Sequence, residues 1–463
     1  MDRLVDVAVV GGGASGVLTA AWLLRMAKRS GPGFRVALIE RQARAGGVAY
    51  GTRRPEHLLN VPAGRMSADP ADPLHFVRWA KGRVRGVAPG AFLQRRRYGE
   101  YLRWFLENAV RAAAPGVELV RVRGEAVRVS KGRGGYRVRL RSGRSLRALW
   151  VVLATGNAAP EPLPGVAPEL RARGVAIEDP WPASLAKVPV HGTVVLVGSG
   201  LTAVDAIATL RARGHRGRIL AVSRHGLLPR PHLAVAPVRE GGLPRERSLR
   251  SLLGWLRRSG DGWRSALDVL RPASSALWRG LAEEERARFL RHLRTRWDVH
   301  RHRMPPRLDA LLRELLAERR LRVIAGQVVG ASPSGREIQV RIRRRGGARP
   351  MTVEAELLVN CTGPSPESAL GAPLMQGLLE DGLASVDTLG LGLRTRGGAL
   401  LDVRGRATPR LLAVGPLRRG ELWETTAIPE IRVQAKEAAE RILARVAAER
   451  PAARSERAAS DRR

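Results

Sequence analysis

Val7-Ala8-Val9-Val10-Gly11-Gly12-Gly13-Ala14-Ser15-Gly16 is the stretch whose reading decides the fold. A short apolar run ends in three glycines, and a helix-compatible segment follows. Read as strand, tight turn and helix, this is a dinucleotide cradle. Gly11 permits the sharp turn, Gly13 lets backbone come close to a pyrophosphate, and Gly16 lets the helix pack tightly on the strand. The helix start at Ala14 and Ser15 offers free N–H groups and a positive partial charge to phosphates.

Working outward, the spacing predicts a helix over 14–28 and a second strand over 35–39 that ends at Glu40. Glu40 lies 24 residues after Gly16, close to the ~20 expected of an acid that bonds a ribose 2′-OH. Gly46 and Gly47 suggest backbone passing close to something flat or bulky. Helical spacing returns at 73–81 and 98–113, and short strands fill 117–153, the last ending in Ala154-Thr155-Gly156.

Residues 157–190 hold seven prolines and read as a connector. A fresh strand over 193–197 then runs into Gly198-Ser199-Gly200-Leu201-Thr202-Ala203 and a helix to 213. This second unit begins 187 residues after the first, with Ala203 in the third glycine's place, an allowed variant. Aligning the second strands sets Ser223-Arg224 against Glu40-Arg41. An acid there repels a 2′-phosphate, whereas Ser and Arg accept one, so the second site suits NADPH over NADH, with NADH possible.

Residues 246–318 carry Leu, Arg and Glu at helical spacing and read as a helical insertion in the second unit. Strands are expected at 321–324 and 338–342, and Leu357-Leu358-Val359-Asn360 opens the stretch that closes the region. That stretch runs into Cys361-Thr362-Gly363-Pro364, echoing Ala154-Thr155-Gly156. A late strand ends at Gly415, and a long helix is expected from Pro429 to about 448.

The fold class is therefore α/β, with two Rossmann-type dinucleotide-binding domains and a helical insertion. The expected domains are 1–188 and 345–448 for the first nucleotide, 189–344 for the second, and a disordered tail over 449–463.

Composition excludes other classes. Hydrophobic residues make up 44%, so the chain is globular. The single Cys361 rules out an intrachain disulfide or a redox Cys pair. No apolar run approaches the roughly 18 residues of a membrane span, and no signal peptide is visible, so cytoplasmic location is expected. The net charge of +39 is almost all arginine, spread over the whole length with few aromatics interleaved. That argues against a specific nucleic-acid or membrane partner, while still favouring anionic cofactors and substrates.

The densest set of catalytic residue types is Trp297-Asp298-Val299-His300-Arg301-His302-Arg303. A metal reading of His300 and His302 lacks a third ligand, and a spacing of two splits them across helix faces. No metal site is expected. Recognition of a substrate anion by His300, Arg301 and Arg303 stands beside solvated helix-end charges. His225 and His232 are candidates to help bind the second nucleotide, or plain loop residues.

Val9–Gly16, Gly46–Thr52, His57–Ser67, Ala154–Gly156, Val197–Asp205, Trp297–Arg303, Asn360–Pro364 and Gly415–Gln434 together resemble the bacterial FAD/NAD(P)-binding proteins related to flavin-dependent urate hydroxylase and aspartate N-monooxygenase. More distant similarity runs to ornithine N-hydroxylases and flavin-containing monooxygenases. The resemblance implies a two-dinucleotide-binding flavoprotein. FAD would lie on Gly11, Gly13, Ala14, Ser15, Gly16 and Glu40, with Gly46, Gly47, Gly156, Gly415 and Ile428 beside it. NADPH would lie on Gly198, Gly200, Leu201, Thr202, Ser223 and Arg224, near Gly363. Related flavoproteins often place an acid after the late glycine, whereas Pro416 stands here.

The implied activity is an NADPH-driven monooxygenase that uses O2 and a flavin hydroperoxide on a small polar or anionic substrate, urate-like or an amino-acid nitrogen. A flavin reductase or oxidase without oxygenation is the alternative enzyme. A basic flavin-binding interaction protein is the alternative outside catalysis.

Overall fold

Runs of Val, Leu and Ile that are apolar at every position, rather than at alternate ones, form strands buried on both faces. The computed structural model describes residues 4–27, 33–41, 46–181, 185, 190–232, 248–259 and 263–460. The chain divides into two units, one of Met1–Gly51, Pro62–Asn157 and Ala369–Arg463, the other of Thr52–Val61 and Ala158–Ser368.

In the first unit Leu4–Val10 is the central strand, with Val7, Ala8 and Val9 wholly buried. It pairs in parallel with Phe34–Glu40 on one side and Ser145–Leu153 on the other. Val117–Arg123 and Ala407–Ala413 extend the parallel sheet at either side. A hairpin of Ala126–Gly132 and Gly135–Leu140 joins Ser145–Leu153 in antiparallel fashion. The helix Ala14–Met26, buried from Ser15 to Leu24, packs against the helices Arg95–Arg111 and Ile428–Ser460. The last helix turns Ile431, Ala435, Ala439, Ile442 and Val446 inward, a stripe at helical spacing. It runs beyond residue 449, where a disordered tail is expected.

In the second unit Val194–Val197 is central. It pairs in parallel with Ile219–Ser223 and with Leu357–Asn360. Ile219–Ser223 pairs onward with the start of Leu321–Ser334, and Leu357–Asn360 with the short strand Ala176–Ile177. Leu321–Ser334 then continues past the parallel sheet into an antiparallel meander with Glu337–Arg344 and Met351–Ala355.

The expected boundaries at 188 and 344 move to 157 and 368. The connector belongs to the second unit because Ala176 and Ile177 join its sheet and Val166 bridges Ala331. The stretch from 345 stays there because Leu357–Asn360 lies beside Val194–Val197. Thr52–Val61 also belongs there. His57 is buried, with Nδ1 2.9 Å from the Thr52 hydroxyl and Nε2 3.0 Å from that of Thr209.

The insertion is real but shorter than the expected 246–318. The helices Leu249–Arg258, Trp263–Gly280, Glu283–His292 and Arg294–Arg301 include a small core of Leu252, Leu270 and Leu277, with Trp297 against it. Pro306–Ala317 instead buries Leu308, Leu312 and Leu315 in the core of the parallel sheet. It is the crossover helix of the Rossmann unit itself.

Candidate functional site: two nucleotide cradles

Gly11 and Gly198 end equivalent strands, with φ of +112° and +117°. A β-carbon on Gly11 would overlap the carbonyl oxygen of Ala154, and one on Gly198 that of Cys361. The two units therefore repeat one construction, in which the glycine turn abuts the end of the neighbouring strand. Ala154-Thr155-Gly156 and Cys361-Thr362-Gly363 are the matching stretches, and the space around Gly156 and Gly363 is open. Cys361 is buried in this turn, and burial raises its thiol pKa. It is held in the unreactive thiol form.

The next loop position differs in purpose. Gly13 and Gly200 have ordinary negative φ (−71° and −78°) and cap helices beginning at Ala14 and Leu201. Among the described residues, a β-carbon on Gly13 would meet nothing nearer than the Gly47 Cα at 3.9 Å, and one on Gly200 would meet nothing within 4 Å. None of the described residues requires glycine at either place. The free space faces helix N-termini whose first N–H groups lack intrahelical partners. That is the form of an anion cradle, and it fits a pyrophosphate approaching the backbone.

Gly16 serves packing, because a β-carbon there would overlap the Gly11 carbonyl. The second unit carries Ala203 at this position, fully buried.

The ends of the second strands separate the cradles chemically. Glu40 Oε2 accepts a hydrogen bond from the Gly12 N–H at 2.6 Å. In the other unit the hydroxyls of Ser199 and Ser223 lie 2.7 Å apart, and Ser199 also bonds the Leu227 carbonyl at 2.5 Å. Ser223 Oγ accepts from the Gly226 N–H at 3.1 Å. Arg224 beside it is exposed. One cradle thus presents a carboxylate at the end of its second strand, the other a hydroxyl and a guanidinium.

Around the first cradle, Gly46 N–H donates to the Gly12 carbonyl at 2.9 Å, and a β-carbon on Gly47 would stand 3.1 Å from the Gly13 Cα. The Gly46–Gly47 segment therefore lies directly beside the first glycine turn. Gly99 lets the helix Arg95–Arg111 approach the Tyr50 carbonyl, and Tyr50 packs against Tyr98 with ring centroids 4.7 Å apart and planes tilted by 56°. Gly415 abuts Ser15, where a β-carbon would stand 2.6 Å from Oγ. Its N–H donates to Gln434 Oε1 at 3.0 Å and its carbonyl accepts from Thr425 Oγ1 at 2.9 Å. Gln434 Nε2 closes the loop on Thr425 Oγ1 at 2.8 Å. This buried network fixes the late glycine against the start of the first helix. Ile428, at the start of the last helix, is buried close by in the chain.

Trp423 is a feature no sequence signal announces. It has φ +58° and ψ −65°, an unusual conformation for a bulky residue, and the Arg419 guanidinium sits 4.5 Å from its ring centroid. Strain of this kind gathers at functional sites.

The polar cluster of the insertion resolves into separate roles. Arg303 is buried, with Nη1 3.0 Å from Asp268 Oδ2 and Nε donating to the His300 carbonyl at 2.9 Å. His302 Nε2 lies 3.6 Å from Asp298. His300 and Arg301 are half-buried on the helix Arg294–Arg301 and its end. His232 bonds the Asn60 carbonyl at 2.9 Å. Among the described residues no three His, Cys, Asp or Glu side chains converge as a metal site would require, and no helix is long and apolar enough to cross a membrane.

Residues 8–158, which contain the first cradle, match the FAD-NAD(P)-binding family. No curated protein matches the chain. Among solved structures, the reduced form of ornithine hydroxylase (PvdA) from Pseudomonas aeruginosa superposes with a TM-score of 0.65 at 17% identity, over 95% of this chain and 99% of that one. The Kutzneria sp. 744 ornithine N-hydroxylase KtzI, with FADred, NADP+ and L-orn, gives 0.62 at 17%, over 96% and 100%. Thioredoxin reductase from T. acidophilum gives 0.53 at 15%, over 96% and 98%. These likenesses establish the fold as that of a two-domain FAD/NAD(P)-binding flavoprotein.

Proposed function

We propose that the chain is an FAD-dependent, NAD(P)H-consuming oxidoreductase that acts as a monooxygenase on a small polar or anionic substrate. The observation that carries this reading is one cradle built twice with opposite chemistry at the ribose position, Glu40 in the first and Ser223-Arg224 in the second. Two different dinucleotides are what such a pair distinguishes. The family match over the first cradle supports FAD there.

The residues fit these groups. Gly11, Gly13, Ala14, Ser15 and Gly16 would hold the FAD pyrophosphate, with Glu40 at its ribose. Gly46, Gly47, Gly156 and Gly415 would line its approach. The N-terminal end of the last helix, at Ile428, would set a positive dipole toward it. Gly198, Gly200, Leu201 and Thr202 would hold the pyrophosphate of NADPH, or of NADH less well, with Ser223 and Arg224 at the 2′-phosphate and Gly363 nearby.

Bound FAD would supply the redox chemistry, accepting a hydride from NADPH and passing electrons to O2. The chain's own task is to bind, orient and exclude water. His300 and Arg301 are our candidates to hold an anionic substrate, and Arg303 keeps them in place through Asp268 and the His300 carbonyl. An amino-acid nitrogen or a urate-like ring is the substrate class. The ornithine N-hydroxylases that share the fold support the former.

The test uses full-length protein loaded with FAD. Anaerobic NADPH should bleach the flavin. With air and a panel of urate, aspartate, ornithine and lysine, one compound should yield an oxygenated product matching the NADPH consumed. Peroxide equal to NADPH with every compound would replace this reading by a reductase or oxidase. A protein that takes up no FAD would overturn both and leave a non-catalytic binding role.

A further inference from the structure

The loop after Ser223 meets the turn that follows Glu337–Arg344 in the meander at one residue. Ala325 pairs with Ser223 across the sheet. Gly226, at φ +61°, packs on Ala325, and its β-carbon would stand 3.2 Å from the Ala325 Cβ. From the other side the Arg345 N–H donates to the Ala325 carbonyl at 2.8 Å. Two segments 120 residues apart in sequence, around 225 and 345, are thereby held together, and Arg345 Nη1 lies 3.1 Å from His225 Nδ1.

Arginine has only donors, so His225 accepts at Nδ1. That assignment makes the ring neutral, with its proton on Nε2. The interaction aims Arg345 without cancelling its charge. Among the described residues, the charged groups acting on His225 are Arg345 from the meander turn, Arg224 from its own loop and Arg296 from the helical insertion, and all are cations. Together with burial they depress the His225 pKa, in keeping with the neutral ring. Like charges brought together from three elements cost free energy unless an anion joins them. The Ser223 hydroxyl stands at the end of the strand Ile219–Ser223, two residues before His225.

We infer that Arg345, aimed by His225 and acting with Ser223 and Arg224, clamps a phosphomonoester on the ribose of the nucleotide in the second cradle. Arg345 is thus a specificity-determining residue supplied from outside the Rossmann crossover, and Arg296 adds to the field. This rests on reading the second cradle as the NADPH site. The ligand class is a ribose 2′-phosphate, recognised by charge-assisted bonds from planar guanidinium donors.

The experiment titrates full-length, FAD-loaded protein with adenosine 2′,5′-bisphosphate and with AMP, at an ionic strength of about 0.15 M. The two probes differ by the 2′-phosphate alone, and bound FAD keeps them off the first cradle. Wild type should prefer the bisphosphate. Arg345→Ala should weaken the bisphosphate about tenfold while leaving AMP unchanged. Arg349→Ala, which removes the same charge from the same turn, should change neither. AMP affinity reports that the cradle remains folded in each variant. An unchanged bisphosphate-to-AMP ratio in Arg345→Ala overturns the clamp and leaves the NADPH reading standing. An equal loss in Arg349→Ala also overturns it, as a diffuse field effect. Wild type that binds neither probe takes down the clamp and the nucleotide reading together.

Discussion

Glu40 accepts a hydrogen bond from the Gly12 N–H at 2.6 Å, so the carboxylate proposed for the FAD ribose also ties the glycine turn to the second strand. Removing it both orphans a backbone donor and opens the cradle. Glu40→Ala should lower FAD affinity about tenfold and destabilise the apoprotein by about 1–3 kcal/mol. FAD content after purification and denaturant unfolding check the two effects separately.

Gly16 and Ala203 stand at the same place in the two cradles, but only Gly16 is crowded by the preceding turn. Gly16→Ala should cost about 1–3 kcal/mol through overpacking. Ala203→Gly should cost about 1 kcal/mol through helix propensity and about 0.8 kcal/mol more through the buried methyl group it removes. Thermal unfolding of both variants measures the two losses, and a Gly16→Ala variant as stable as wild type would show that the crowding is relieved by movement.

The Gly415 N–H depends on Gln434 Oε1, and both lie in a buried network with Thr425. Gln434→Leu leaves that N–H and the Thr425 hydroxyl short of a partner. A loss of about 1–3 kcal/mol is expected. Thr425→Val, which spares the bond from Gln434 to Gly415, should cost less. Urea denaturation of the two variants ranks them.

His75 is half-buried, its Nδ1 lying 2.6 Å from the Tyr101 hydroxyl, and burial lowers its pKa. A histidine that resists protonation when folded takes up its proton more readily when unfolded. Stability therefore falls as pH drops below the unfolded value of about 6.5, and goes on falling until the depressed folded value is passed. His225, lowered mainly by burial and then by Arg345, acts in the same direction. His75→Gln should show a shallower loss of melting temperature between about pH 7 and about pH 5.5. An identical pH profile would mean that His75 does not contribute.

Much of the fold was legible because its parallel strands are apolar throughout and their glycine turns have chemical signatures. The strands at Leu4–Val10 and Val194–Val197, and the helices that follow them, lie where spacing places them. The strand Leu321–Ser334 runs well past the expected 321–324, through Gly326, Gly330 and Pro333, residue types that ordinarily interrupt strands. Here Gly326 and Gly330 instead allow close passage of the Arg343 carbonyl, the Arg341 side chain and the Gly165 carbonyl. Pro306–Ala317 falls within the expected insertion because helical periodicity does not say what a face packs against. The Asp268 partner of Arg303, the strained Trp423 and the meeting of Arg345 with His225 are tertiary facts without local pattern. No single stretch of sequence carries them.

The central claim is that each cradle keeps a glycine for a ligand rather than for the fold, and the most direct measurement is FAD and NADPH binding in Gly13→Ala and Gly200→Ala. Both positions have room for a methyl group and ordinary φ, so stability should stay within about 0.5 kcal/mol of wild type. Gly13→Ala should lose FAD, while Gly200→Ala should retain FAD and bind NADPH at least about tenfold more weakly. Folded variants that bind both nucleotides as wild type does would contradict the account.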